Sequence, residues 1–578
     1  MTRHGDSSWS LHAAIAGPED ILDKGTLRTW RRGLKQPQAV ESLALLNRIE
    51  QRYQLPEGYF QEKLGPRPRA SAGKTPELSA SESRRLAWHL PDDFASRPAA
   101  ERARILEWVR RVIISGSTDY RKYHGETVKQ RFGMRFDTSR RQNELDAPPQ
   151  LQEEMNDLAS FKSSTLTRTG FQRSGVWNEA TAAQRTEHFG LLFGALAASP
   201  NGEVRGLGLP AADLTFGMLL FPAVWDWYVQ WRERRRGFYT SWEAEMLLLG
   251  AALTRAETGW LRQRRDIADR LVPVEGLVSQ AEVDAVKTNW DQACDRLNKH
   301  AVARAKEIER VARVHRDPFE PILVILEADS PLAEYRKITE EIARRMPDPK
   351  RYPKPHAEAV RSFLMLRIGL HSGLRQKNLR QLLACRQDER PLTERQLIEG
   401  KRGELRWNER EQGWELFIPA VAFKNSSSSF FGNRPFRLVL PDLGGLYAYI
   451  DYYLERGRAL LLSGSPDPGT FFIKTVKTTS RNASYTQSGF YEAWRLVIQR
   501  YGIYNPYTGR GAIEGLLPHG PHNIRDVLAT HVLKQTGSYE QASYAIQDTP
   551  EMVSQHYGRF LPQDKAALAA QVLNKAWA

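Results

Sequence analysis

Only two cysteines occur in the 578 residues, Cys294 and Cys385, too few for a disulfide framework and too few for a zinc cluster. A reduced, cytoplasmic setting is therefore expected. The longest apolar runs, Phe216–Trp225 and Met246–Leu253, fall far short of the ~20 residues that cross a bilayer. The opening Met-Thr-Arg-His-Gly-Asp lacks the apolar stretch of a secretory signal. No internal repeat of fixed period is found, which argues against a solenoid or propeller. Hydrophobic residues at 41% and charged residues at 26% are ordinary values that exclude disorder as the overall state. At roughly 100–200 residues per domain, the length predicts three to five domains.

What the chain does have is positive charge. Its 83 Lys and Arg exceed its 68 Asp and Glu, leaving a net charge of +15. Such an excess suits a polyanionic partner, because cations that neutralise phosphates release condensed counterions. An anionic membrane surface would attract the same charge. Aromatic residues often stand beside the basic ones, as in Trp225-Asp-Trp-Tyr-Val-Gln-Trp-Arg-Glu-Arg-Arg-Arg236. Trp227 and Trp231 lie four apart on one helical face, the spacing of core residues.

Along the chain, residues 9–64 read as four or five short helices. Leu11–Ala16 is an apolar helix, Thr26–Gly33 a short one stopped by glycine, and Val40, Leu43, Leu46, Ile49 and Tyr53 fall at helical spacing. From Lys24 to Lys35 there are five basic residues and no acidic one. This pattern resembles the repressor-like helix-turn-helix domain. The resemblance implies a DNA-reading second helix near Thr26–Arg32, with Arg28, Arg31 and Arg32 facing DNA. A small helical docking module with a basic face is the alternative. The Pro/Gly/Ser-rich stretch 66–83 reads as a linker. Residues 84–310 have mostly helical apolar spacing, with one amphipathic stretch at Arg102–Ile114 and a capping box at Thr240-Ser-Trp-Glu243. Asp137–Pro149 and Ser199–Leu209 read as loops. Beyond Asp317 the texture becomes mixed. A helix at Glu358–Leu370 is followed by strands near Trp414–Pro419 and Phe436–Leu440, then helices again from Leu446.

Four separated pieces of this last third share one chemical logic. They are His371-Ser-Gly-Leu-Arg375-Gln-Lys-Asn-Leu379, Lys424 in a serine-rich turn between the two strands, His522-Asn-Ile-Arg525, and Gln547 through Tyr557. Two guanidiniums can hold the non-bridging oxygens of a phosphodiester and stabilise charge developing on phosphorus. A phenol that attacks phosphorus conserves the bond energy for re-ligation. A lysine can protonate the departing 5′-oxygen, and a histidine can move the nucleophile's proton. Taken singly, each residue has a structural explanation: a helix-end arginine, a solvated loop lysine, a hydrogen-bonded core histidine, a buried tyrosine. Lys401 or Lys474 could replace Lys424, and Tyr539 and Tyr544 compete with Tyr557. The order and spacing of all four together are what single them out.

These boxes resemble those of the tyrosine recombinases, the phage-integrase family, in their usual order over about residues 340–578. The resemblance implies a catalytic set of Arg375, Lys424, His522, Arg525, Gln547 and Tyr557, with Tyr557 the nucleophile and neither metal nor cofactor required. Gln547 stands where many members have a second histidine or a tryptophan, and Asn378 where they have an acid three residues after the first arginine. The implied fold is mainly α and multidomain. A helix-turn-helix-like domain (1–65) and a helical core-binding region (84–310) of one or two units would precede an α+β catalytic domain (330–578) with a small antiparallel sheet. The implied partners are double-stranded DNA, three further copies in a homo-tetramer, and an accessory DNA-bending protein or second recombinase, with no membrane. The amphipathic tail Asp564–Trp577 would pack on its own domain or, as the resemblance implies, dock on a neighbouring subunit. A non-catalytic DNA-binding regulator that kept the fold, and a topoisomerase-like relaxing enzyme, are the other classes left open.

Overall fold

Helix Pro353–Ser372 shows how sequence sets the fold around the candidate site. Pro353 at its first position supplies a fixed φ, and Gly373 in the left-handed region (φ 56°) ends it. Between these punctuation marks almost every residue from Ala357 to Leu370 is buried, so this helix forms the centre of a core. In this computed structural model the described residues are 4–17, 24–31, 37, 40–56, 58–60, 79–116, 132–136, 145–313, 317–424, 426, 432–477 and 482–561, with positions 570, 573, 574 and 577. Among the described residues the fold is mainly helical, with two small sheets. Among the described residues no helix is long and apolar enough to cross a membrane.

The chain divides into two compact units. One comprises Met1–Ser117 with Pro318–Ala578, the other Thr118–Asp317. The expected helical region 84–310 is thus split, and its first part belongs with the last third of the chain. The reason is aromatic packing. Trp88 stacks edge-on against Tyr501 and donates its indole N–H to the Arg500 carbonyl at 2.9 Å, while Trp108 meets Tyr507. Arg510 and Asn505 in turn donate to the carbonyls of Trp88 and His89, both at 2.9 Å.

In the first unit the chain starts with helices Ser8–Ile15, Lys24–Arg31 and Val40–Arg52. These bury a small cluster of Leu11, Ile15, Leu27, Leu45, Leu46 and Ile49. Arg28 and Arg31 are exposed on the second helix. Arg32, most of the 66–83 linker and most of the 564–577 tail lie outside the described residues. The larger sheet of this unit orders its strands Leu383–Ala384, Glu404–Asn408, Gly413–Ile418 and Phe436–Val439. The last two are the expected strands and pair antiparallel, Glu415 opposite Val439 and Ile418 opposite Phe436. The first two were not anticipated, and they pair parallel. Leu383–Ala384 is only two residues long, and the five residues of Glu404–Asn408 do not alternate between buried and exposed.

The second unit is held by an aromatic core in which Phe189, Phe193 and Trp260 surround Phe216 edge-on. Helix Ser241–Thr254 opens with the expected capping box of Thr240 and Glu243. Trp231 is buried and Trp227 half-buried against the same core, their rings stacked at 6.0 Å. Ser199–Leu209 is irregular, as expected. At the end of the other expected loop, Leu145–Asp146 instead pairs with Met134–Arg135. The Arg135–Asp146 ion pair ties that two-residue bridge.

Candidate active site

Two arginines from distant segments converge on one carboxylate. Arg375 follows the left-handed turn at Gly373 and caps helix Gln376–Gln381. Its Nη2 lies 2.7 Å from Oδ2 of Asp548, and its Nη1 donates to the Gln547 carbonyl at 3.2 Å. Arg525 sits in the first turn of helix Asn523–Thr536. Its Nη2 lies 3.0 Å from the same Asp548 oxygen, while Nη1 donates to the carbonyls of Gly373 and Ile546 at 2.6 and 2.5 Å. The Arg525 side chain is 1% exposed. Burial and the neighbouring Arg375 push its pKa down to about 10, so the guanidinium is still cationic at neutral pH.

Gly373 makes this convergence possible. A Cβ there would lie 2.7 Å from the Ala545 carbonyl oxygen, and the residue holds a positive φ. The close approach brings the Arg375 turn against the end of helix Tyr539–Ile546, where Gln547 and Asp548 begin.

Among the described residues no hydrogen bond joins the Gln547 side chain to either arginine. Gln547 adopts a left-handed conformation (φ 53°), and its amide donates to the Tyr544 carbonyl at 2.7 Å. Only its main-chain carbonyl serves Arg375. The side chain that meets both guanidiniums is that of the next residue, Asp548, which sequence reasoning missed by one position. Asp548 lies nine positions before Tyr557 and Gln547 ten. Asn378 is buried, and among the described residues no hydrogen bond joins it to Arg375. Its amide donates instead to the Ala422 carbonyl at 3.1 Å, anchoring the short turn that leads to Lys424. Asp548 therefore supplies the carboxylate that Asn378 lacks.

Tyr557 ends helix Pro550–Tyr557 and is 6% exposed. Its hydroxyl donates to Oδ1 of Asp526 at 2.8 Å, and the Phe319 ring packs edge-on against it at 5.8 Å. Burial and the adjacent Asp526 carboxylate raise the phenol far above its ordinary pKa. Asp526 itself was not singled out by sequence, although it directly follows Arg525. His522 precedes the helix with its residue surface open to solvent. Packing around its ring, with Arg525 and Arg375 close by, pushes it down to about 4, so it is neutral at pH 7. Lys424 is exposed in the turn after Ala420–Ala422, and among the described residues it forms no ion pair with the cluster.

No protein-family model matches the chain, and no curated protein matches it. Among solved structures it is similar to the XerH site-specific recombinase bound to its difH substrate in a pre-cleavage complex. That match has 11% identity and a TM-score of 0.29, over 74% of this chain and 96% of the other. The likeness is too slight to carry fold or activity across.

Proposed function

We propose that this chain is a site-specific DNA recombinase of the tyrosine type, serving a mobile genetic element. The observation that carries the reading is the convergence of Arg375 and Arg525 on a single anionic oxygen, with Tyr557 hydrogen-bonded to the residue that follows Arg525. Two forked cations fixed by main-chain carbonyls form a seat for an anion. A scissile phosphate would take over the contacts that Asp548 now makes. The Tyr557 oxygen would then bond to phosphorus as the bond to the 5′-oxygen breaks, leaving a 3′-phosphotyrosyl link. Lys424 would deliver a proton to the leaving 5′-oxygen, and neutral His522 would hydrogen-bond a phosphate oxygen. Attack by a 5′-hydroxyl from another strand reverses the step.

The partner in this reading is double-stranded DNA, held through phosphate contacts by both units and by Arg28, Arg31 and Arg32. Four copies would act on two duplexes, with an accessory bending protein or a second recombinase as a further participant. A second reading, a DNA-binding regulator that does not cut, has one observation in its favour. Asp548 places a fixed negative charge where the phosphate would sit.

The test is covalent trapping. Protein is mixed with supercoiled plasmid carrying the DNA that flanks its own gene and quenched in SDS. A protein–DNA adduct with the wild type, absent with Tyr557→Phe, is expected. Salt-sensitive binding with no adduct would favour the regulator.

A further inference from the structure

The geometry points to Asp526 as the proton acceptor for the Tyr557 nucleophile. This inference rests on the strand-cleaving reading above and assigns to Asp526 a role that sequence gave to His522.

Four observations carry it. The Tyr557 hydroxyl already donates to Asp526 Oδ1 at 2.8 Å, a reactive hydrogen-bond distance. The other carboxylate oxygen is engaged: Asn523 Nδ2 donates to Oδ2 at 3.1 Å and also to the Pro318 carbonyl at 3.0 Å. The carboxylate is thereby held with Oδ1 facing the phenol. Asp526 is 3% exposed, and Phe319 covers the Tyr557 ring, so bulk water is a poor competitor for the proton. Asp526 also follows Arg525 directly, so one turn of helix fixes the clamp and the acceptor together. Among the described residues no hydrogen bond joins His522 to Tyr557.

The charged and titratable groups around Asp526 and Tyr557 are Arg525 on the same helix, Tyr557 and Asp548 on the facing segment, and the neutral amide of Asn523. Burial pushes the Asp526 carboxyl up to about 6, which leaves it ionised at neutral pH yet a stronger base than an ordinary aspartate. The phenol beside it is held protonated. A nucleophile that cannot ionise on its own needs an acceptor within reach.

The step balances. As the tyrosyl oxygen bonds to phosphorus and the bond to the 5′-oxygen breaks, the phenolic proton passes to Asp526 Oδ1. The 5′-oxygen takes its proton from a separate donor, Lys424 in the proposed reading. Asp526 becomes neutral as negative charge grows on the phosphorus oxygens, so Arg525 loses a competing anion at that moment. In re-ligation the proton returns from Asp526 to the departing phenolate.

The experiment uses the full chain and two duplexes spanning the cleavage site, located first by sequencing the adduct junction on the plasmid, one ordinary and one with sulfur replacing the 5′-bridging oxygen. Asp526→Asn keeps a hydrogen-bonding group of the same shape against Tyr557 and Asn523. The variant is expected to bind DNA and to fold as the wild type does, yet to form adduct about 10²–10⁴-fold more slowly. The sulfur leaving group, which needs no proton, should not rescue it but should rescue Lys424→Ala. Asp526→Glu, which keeps the carboxylate, should recover part of the rate. A wild-type rate in Asp526→Asn would make the contact purely structural and overturn the assignment. A faster rate would make it a latch, and rescue by sulfur would make it an acid. Wild type that forms no adduct on any of these DNAs would instead sink the strand-cleaving reading, and this role with it.

Discussion

Replacing Asp548 by Asn tests whether the two arginines truly share an anion seat. The substitution keeps the side-chain shape and removes the charge, leaving Arg525 buried and Arg375 beside it without a counter-ion. Removing one partner of a buried ion pair costs about 3–5 kcal/mol. Because Asp548 and the Arg375 side chain each keep 18% exposure, the lower end, about 3 kcal/mol, applies. The unit that holds the site has roughly 380 residues, and unfolding entropy is roughly 2 cal/mol/K per residue, so its melting temperature should fall by about 4 °C. Added sulfate or inorganic phosphate should restore more stability to the variant than to the wild type. A site filled at ten times its dissociation constant regains about 1.4 kcal/mol. The assay is thermal unfolding with and without the anion. An unchanged melting temperature, or equal response of the two proteins to sulfate, would refute the shared seat.

Two further predictions concern groups around the same turn. Asp526 has a folded pKa of about 6 against an ordinary value of 3.8, so the folded state holds its proton more tightly. Its cost is absent below about pH 4 and grows as the pH rises through 6, reaching about 3 kcal/mol. Asp526→Asn should therefore be more stable than wild type by up to that amount at pH 7 and lose the advantage near pH 4, measured by denaturant titration at both; an advantage that does not change with pH contradicts the account. Gly373→Ala adds a Cβ 2.7 Å from the Ala545 carbonyl at a positive φ. It should cost about 2 kcal/mol and weaken DNA binding by displacing Arg375, read by melting and by titration with plasmid DNA.

Much of the first unit was legible because its signals are local. Apolar spacing marks the body of helices such as Pro353–Ser372, read from sequence as Glu358–Leu370, and the site boxes stand out by order and interval. The failures share a cause: they depend on pairings far apart in sequence or on backbone twists that composition does not show. Trp88 and Trp108 look like ordinary amphipathic-helix residues until Tyr501 and Tyr507 arrive from some four hundred positions away. The left-handed turn at Gln547 leaves that side chain bonded to the Tyr544 carbonyl and delivers Asp548 in its place. Asn378 reads as a lost acid, whereas it bonds the Ala422 carbonyl. Asp526 escaped notice because its partner Tyr557 lies on a different helix.

In the proposed reaction the Tyr557 oxygen becomes covalently joined to DNA. The most direct measurement takes the SDS-quenched adduct, digests its DNA to a short remnant and its protein to peptides, and locates the modified residue by mass spectrometry. A nucleotide remnant is expected on the peptide containing Tyr557, phosphate-linked to the phenol, and none in Tyr557→Phe. A remnant on Tyr544 or Tyr539, or an adduct that survives in Tyr557→Phe, would contradict the proposed reaction.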